Sequence, residues 1–207
     1  ADKLIAKAGG EAAFKRVPGY HHATCINVND EVVHGLPGKR ILREGDVVGL
    51  DVGLYYKGFN TDTSVTVPVG NPSARTRRFL QVGREGLEAA IATARAGKKI
   101  VDISRAMESD IRTNGFSPVK ALTGHGVGRE LHEEPAIPCF VVGSGNHSPR
   151  IVPGMTLAIE IMYNAGGSDI CYKNHDGWTL VTADGKISGL FEETVVVTKN
   201  GPVILTR

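Results

Sequence analysis

Three cysteines are all the chain has, Cys25, Cys139 and Cys171, odd in number and irregularly spaced. That argues against a disulfide framework and for a reducing, cytoplasmic compartment, and the missing CxxC spacing argues against a structural zinc knuckle. No run of 18 apolar residues occurs, so no membrane is expected as a partner. The first ten residues, ADKLIAKAGG, lack the long apolar stretch of a secretory signal. Basic residues barely exceed acidic ones, 24 against 22, and form no concentrated block, which gives no support for a specific nucleic-acid partner. At 207 residues, 41% hydrophobic and 22% charged, the composition suits one well-cored domain spanning 1–207, or two small halves sharing a core.

Leu4, Ile5, Ala8, Ala12 and Phe14 recur at helical spacing and predict an opening helix within residues 2–14. Residues 24–28 read as a strand, and His34 follows an apolar pair at the start of a loop marked by Gly35 and Pro37. The strongest β signal comes next, at 47–56 and 60–69, with Lys57 and Gly58 at the turn. In a two-residue hairpin Asp51 faces Ser64 and Asp62 faces Gly53. Both carboxylates then leave the same face on a diagonal, with backbones roughly 7–8 Å apart. Such a pair repels unless protonated or bridged by cations; an exposed polar sheet face is the other reading.

Two helices are expected after Gly70. The first has Asn71 as cap and Pro72 in its first turn; the second runs from Asp102 as cap to Asn114, with Gly115 as its stop. Both read as cover for one face of a sheet. The stretch ALTGHGVGRELHEEP at 121–135 then sets His125 and His132 among glycines, which tolerate positive φ and close backbone approach. Further on, Gly154 precedes Glu160 by six residues within an apolar strand, as Gly45 precedes Asp51. This suggests two related halves, each contributing an acid to a shared centre. Three short strands close the chain, turning at Asp184-Gly185 and Asn200-Gly201. Alternation lets only one of Glu192 and Glu193 face inward, leaving the other solvated.

Asp51, Asp62, His125, Glu160 and one of Glu192 or Glu193 are too anionic a set for a single His-rich zinc site. They suit two divalent ions with bridging carboxylates, and hence hydrolysis of a peptide or amide bond.

Taken in order, Asp51, Asp62, His125 within GHGVG, Glu160 within IEIMYNAG and Glu192 within FEETVVVT, with VNDEVVHGLP upstream, resemble the type I methionine aminopeptidases of the pita-bread metallopeptidase family. The resemblance runs from about Gly19 to the C-terminus. It implies an α+β pita-bread fold, with pseudo-two-fold halves and a mainly antiparallel curved sheet covered by helices. It further implies a hydrolase holding two divalent ions (Co, Mn, Fe or Zn), which removes the initiator methionine from nascent polypeptides by metal-hydroxide attack. Asp51 and Asp62 are then ligands, Asp62 bridging; His125 and Glu160 hold one ion; Glu192 bridges both; Glu193 is its outward neighbour. His34 is implied to hydrogen-bond the substrate near the scissile amide. His132 is implied to stabilise the oxyanion, and Glu160 to take the proton of the attacking water. Tyr20, Cys25 and Trp178 fall where the family builds its methionine pocket. Leu131 stands where an aromatic residue is usual, the loop from Tyr20 to Cys25 is short, and part of the upstream helical segment is expected to be lacking. A monomer in the cytoplasm, with ribosome association, completes what the resemblance implies. The alternatives are an X-Pro aminopeptidase of the same fold and a non-catalytic pita-bread binding protein.

Overall fold

Alternating burial along residues 47–68 sets the architecture. A computed structural model describes residues 1–173 and 176–207. Its first half comprises α1 (Asp2–Lys7), β1 (Glu11–Ala12), a 3-10 turn at Ala13–Arg16, β2 (Thr24–Val28), β3 (Glu31–Val33), β4 (Val47–Tyr56) and β5 (Phe59–Pro68). Two helices follow, α2 (Ala74–Thr93) and α3 (Ile100–Thr113). The rest is β6 (Ser117–Pro118), β7 (Thr123–Gly126), β8 (Glu133–Pro138), β9 (Thr156–Asn164), β10 (Ile170–Tyr172), β11 (Leu180–Thr182), β12 (Ser188–Thr198) and β13 (Gly201–Ile204).

β4 and β5 pair in the expected register, Asp51 against Ser64 and Gly53 against Asp62, across a turn in which Lys57 and Gly58 both have positive φ. The main sheet runs β1-β4-β5-β12-β9-β7-β8, with β2, β6 and β13 joined to β4, β9 and β12. The β4–β5 pair on one side is answered by β9–β12 on the other, an arrangement matching the suspected repeat of Asp51 and Glu160. Where the halves meet, β5 and β12 share the single register pair Glu192 and Ser64. Two threonines stitch the seam on either side of it. Thr194 Oγ1 accepts from Asp62 N and donates to Asp62 O, both at 2.8 Å. Thr66 Oγ1 likewise accepts from Leu190 N at 2.9 Å and donates to Leu190 O at 2.7 Å.

Helices α2 and α3 cover the outer face of the second half. Phe79, Leu87, Ile91, Ile103, Met107 and Ile111 bury against Ile159, Ile161, Tyr163, Phe191 and Val195. Each such side chain contributes about 1.5–3 kcal/mol of burial. The opposite faces of β4, β5, β9 and β12 carry the acids.

Several expectations are corrected. The opening helix stops at Lys7, because Gly9 turns at φ 80° and a Cβ on Gly10 would lie 2.7 Å from Leu54; Phe14 belongs to the 3-10 turn. Helix α2 starts after Ser73, whose hydroxyl accepts from Thr76 N at 3.1 Å, so Asn71 and Pro72 lie outside it. Helix α3 starts two residues before Asp102, whose carboxylate reaches back to Lys99 N at 2.9 Å. β11 pairs with β3 and β10 in a separate three-stranded sheet and not with β12, so Asp184-Gly185 turns between sheets. The closing hairpin turns on Lys199 and Asn200, with Gly201 already paired to Thr198. Glu193 is buried, not solvated, because Thr206 and Arg207 fold over it, with Arg207 Nε 2.7 Å from its carboxylate.

Gly83 lies mid-helix under Phe191 and Tyr163, and a Cβ there would come within 2.4 Å of the Phe191 ring. The expected outcome of Gly83→Ala is a loss of about 1–3 kcal/mol, in place of the gain of roughly 0.5–1 kcal/mol that alanine brings to an open helix position. Urea denaturation measures it.

Candidate metal centre

The site is built by side chains projecting from the inner face of five positions in one sheet. Asp51 comes from β4, Asp62 from β5, His125 from β7, Glu160 from β9 and Glu192 from β12. Period-two alternation puts each acid inward while its neighbours, such as Leu50 or Phe191, point the other way. Ladder pairing brings Glu192 directly opposite Glu160, and His125 lies opposite Ala158. Asp62, His125 and Glu192 each offer a ligand atom within 4.8 Å of the others. His125 Nε2 stands 3.8 Å from Glu160 Oε1.

The histidine stretch is a hairpin of β7 and β8 and not an open loop. None of Gly124, Gly126 and Gly128 has positive φ. They serve close approach: a Cβ on Gly124 would lie 2.7 Å from Ala158 O, and one on Gly126 2.3 Å from Glu134 O. β7 can therefore lie close against both β9 and β8, with His125 between the two glycines. The His125 Nδ1 is 2.8 Å from Gly126 O. A carbonyl only accepts, so the proton resides on Nδ1 and the Nε2 lone pair faces the carboxylates.

Electrostatically the cluster cannot stay fully ionised without a cation. Burial pushes Asp51 up to about 7. Burial, and then mutual repulsion, raises Asp62, Glu160 and Glu192 well above the usual carboxylate range. Burial lowers His125 to about 4, so its ring is neutral and free to ligate. Asp51 Oδ1 and Glu192 Oε1 are buried without any hydrogen-bond partner. Such orphaned oxygens cost about 1–3 kcal/mol each if left unpaired. Oxygen and imidazole donors in this number suit a divalent metal.

Beside the acids lies a cavity of about 150 Å³. Its walls include all eleven residues singled out from the sequence: Asp51, Asp62, His125, Glu160 and Glu192, together with His34, His132, Tyr20, Cys25, Leu131 and Trp178. Tyr20 packs edge-on against Trp178 with ring centroids 4.9 Å apart, and its hydroxyl reaches Cys25 Sγ at 3.1 Å. Asp176 holds the turn at Trp178, accepting from Trp178 N at 2.8 Å and Thr179 N at 3.0 Å. His34 and His132 stand exposed at the mouth. His34 has φ 59°, a sparsely populated backbone region. The close fit of Gly35 against β2 holds it there, since a Cβ on Gly35 would meet Ile26 O at 2.2 Å. The His132 ring centroid is 4.5 Å from that of His125.

Phe14, Val17, Val33 and Leu190 also line the cavity and were not anticipated. Leu190 was findable, standing two before Glu192 on one strand face. Phe14 and Val17 carried no local signal, because only the tertiary fold returns the 3-10 turn to the site.

A carboxyl whose pKa is raised by folding binds more protons folded than unfolded, so stability falls as pH rises through that window. For Asp51 the window runs from the unfolded value of 3.8 to about 7. Metal-stripped protein is expected to melt at progressively lower temperature from pH 4 to pH 7. Saturating Mn(II) should flatten or reverse that trend in a calorimetric scan.

Comparison with known proteins agrees with the geometry. Residues 1–199 match the model of metallopeptidase family M24. Methionine aminopeptidase 1 of Bacillus subtilis is 42% identical over the whole chain, which covers 82% of that relative. Methionine aminopeptidase of Aquifex aeolicus is 44% identical over 91% of the chain and 73% of its own length. The crystal structure of methionine aminopeptidase from Thermotoga maritima superposes with a TM-score of 0.95 at 41% identity, covering 99% of this chain and 82% of that one. Prolidase from Pyrococcus furiosus, at 24% identity and a TM-score of 0.71, shares the fold. With a matching model over nearly all its length and its buried acids gathered on the inner face of one antiparallel sheet, the chain belongs to metallopeptidase family M24.

Proposed function

We propose that this protein is a methionyl aminopeptidase, releasing the initiator methionine from nascent polypeptides in the cytoplasm with two divalent ions. The observation that carries this reading is a row of acids with orphaned oxygens set beside a largely apolar pocket. Phe14, Tyr20 and Cys25 form the floor of that pocket, with Val17, Leu36, Leu131 and Trp178 packed around them. An unbranched, polarizable thioether fits such a lining, since sulfur packs well against aromatic edges.

Asp51, Asp62, His125, Glu160 and Glu192 would hold the divalent ions. Cations bound there would supply Lewis acidity toward the scissile carbonyl and the attacking water. Glu160, at the cavity wall, accepts the proton of that water. Although both residues are part-open to solvent at the mouth, desolvation by the surrounding walls lowers the pKa of His34 and His132, so each is a neutral donor near pH 7. His132 donates to the carbonyl oxygen as charge develops on it, and His34 orients the scissile amide. Tyr20 and Trp178 exclude water from the side chain that is recognised.

Metal-stripped protein supplied with a Met-Ala-Ser peptide is expected to release free methionine only after Mn(II) or Co(II) is added. Asp62→Ala should abolish release, and His132→Ala should lower kcat roughly 10²–10³-fold. An Ala-Pro peptide should stay intact. Cleavage of Ala-Pro in preference to Met-Ala-Ser would instead indicate the X-Pro specificity, and metal binding without either cleavage would indicate a binding protein.

A further inference from the structure

The loop between β7 and β8 presents Leu131 and His132 to the cavity, yet nothing in its own sequence fixes it there. Few bonds hold it. Val127 N donates to Thr156 O at 3.1 Å, Gly128 N to Glu130 O at 3.0 Å, and Glu130 N to the Glu133 carboxylate at 2.9 Å. Leu131 packs on the Phe14, Tyr20 and Cys25 cluster, and Arg129 lies 5.4 Å over the Phe59 ring. The remaining hydrogen-bonded tether from outside the hairpin comes from Asn60, which is 68 residues away from Gly128 in sequence and only 6% exposed. Its Nδ2 donates to Arg129 O at 2.9 Å and to Gly128 O at 3.1 Å, and its backbone N donates to Gly128 O at 2.7 Å. Both acceptors are carbonyls, which cannot donate, so the amide nitrogen and not the oxygen must face them.

Asn60 also shares the inner face of β5 with Asp62, two residues on. We propose that Asn60 is a positioning residue: it ties the strand carrying Asp62 to the loop carrying His132, and so sets His132 against the centre. This deepens the aminopeptidase reading and rests on it for the kinetic part. His132 lies 4.5 Å, ring to ring, from His125, at the mouth of the site. A displacement of about 1 Å there is enough to lower kcat by up to about 100-fold. The plainer role, a buried amide that only satisfies two carbonyls, would change stability and leave turnover alone.

The test compares Asn60→Ala and Asn60→Asp with the parent enzyme loaded with Mn(II). Asparagine and aspartate have the same shape, but a carboxylate cannot donate and would repel both carbonyls. The expected result is a fall in kcat on Met-Ala-Ser of roughly 10- to 100-fold in the alanine variant, and at least as large in the aspartate variant. Bound metal should match the parent, and KM should move less than kcat. Combined with His132→Ala, the alanine substitution should add no further loss, since both act through one group. Hydrogen exchange over residues 127–132 should be faster in Asn60→Ala whatever the peptidase result, which separates failure of this inference from failure of the proposed activity. Should the alanine variant not fold, Asn60→Ser, which keeps one donor, is read in the same way. Unchanged exchange, a kcat within about twofold of the parent, a loss that tracks lost metal, or losses that multiply in the double variant would each overturn the assignment.

Discussion

Four carboxylates cannot stay ionised together in a dry cavity, and most of this structure follows from that constraint. Asp51, Asp62, Glu160 and Glu192 are held close enough that each raises the pKa of others, on top of the effect of burial. Isolated, such charges are expelled to water or neutralised. The chain does not expel them; it fixes them on one sheet, where without a cation the raised pKa values let protons neutralise part of the charge. Free energy stored in that repulsion is what a divalent cation relieves on binding. The neutral His125, its Nδ1 proton given to Gly126 O, adds the nitrogen donor that the acids lack.

The pseudo-two-fold sheet is the means of holding them. A hairpin register fixes Asp51 relative to Asp62, and a second ladder fixes Glu160 opposite Glu192. Between the two pairs the ladder is reduced to one register pair, and Thr66 and Thr194 replace the missing backbone bonds. Helices α2 and α3 pack on the outer face of β9 and β12, leaving the inner face open to the cavity. The cavity wall draws on less regular parts: the 3-10 turn with Phe14, His34 at positive φ, the Asp176 turn beneath Trp178 and the loop bonded to Asn60.

Much of this is legible in the sequence. The register of β4 and β5 followed from a two-residue turn and period-two alternation, because both are local rules. The Asp51 and Glu160 repeat was legible because each acid interrupts an apolar strand, which physics seldom tolerates without a partner. Helix starts were misplaced by two or three residues where several polar side chains competed to cap, as with Asn71 and Ser73. Glu193 was misjudged because its cover, Arg207, lies fourteen residues away on the chain terminus. Phe14 and the pairing of β11 with β3 were invisible for the same reason: nothing local encodes a contact made only after the sheet closes.

The most direct measurement of the central constraint is the number of protons released when Mn(II) binds the metal-stripped protein at pH 6, read by titration calorimetry in buffers of differing ionisation enthalpy. Asp51 is held at about 7, and the other three acids are raised by burial and repulsion, so protonated carboxyls should be present to be displaced. Release of one proton or more per chain is expected, and it should diminish when Asp51 is replaced by asparagine. Binding with no proton release would contradict the view that repulsion among these acids, relieved by a cation, is what the fold is built to hold.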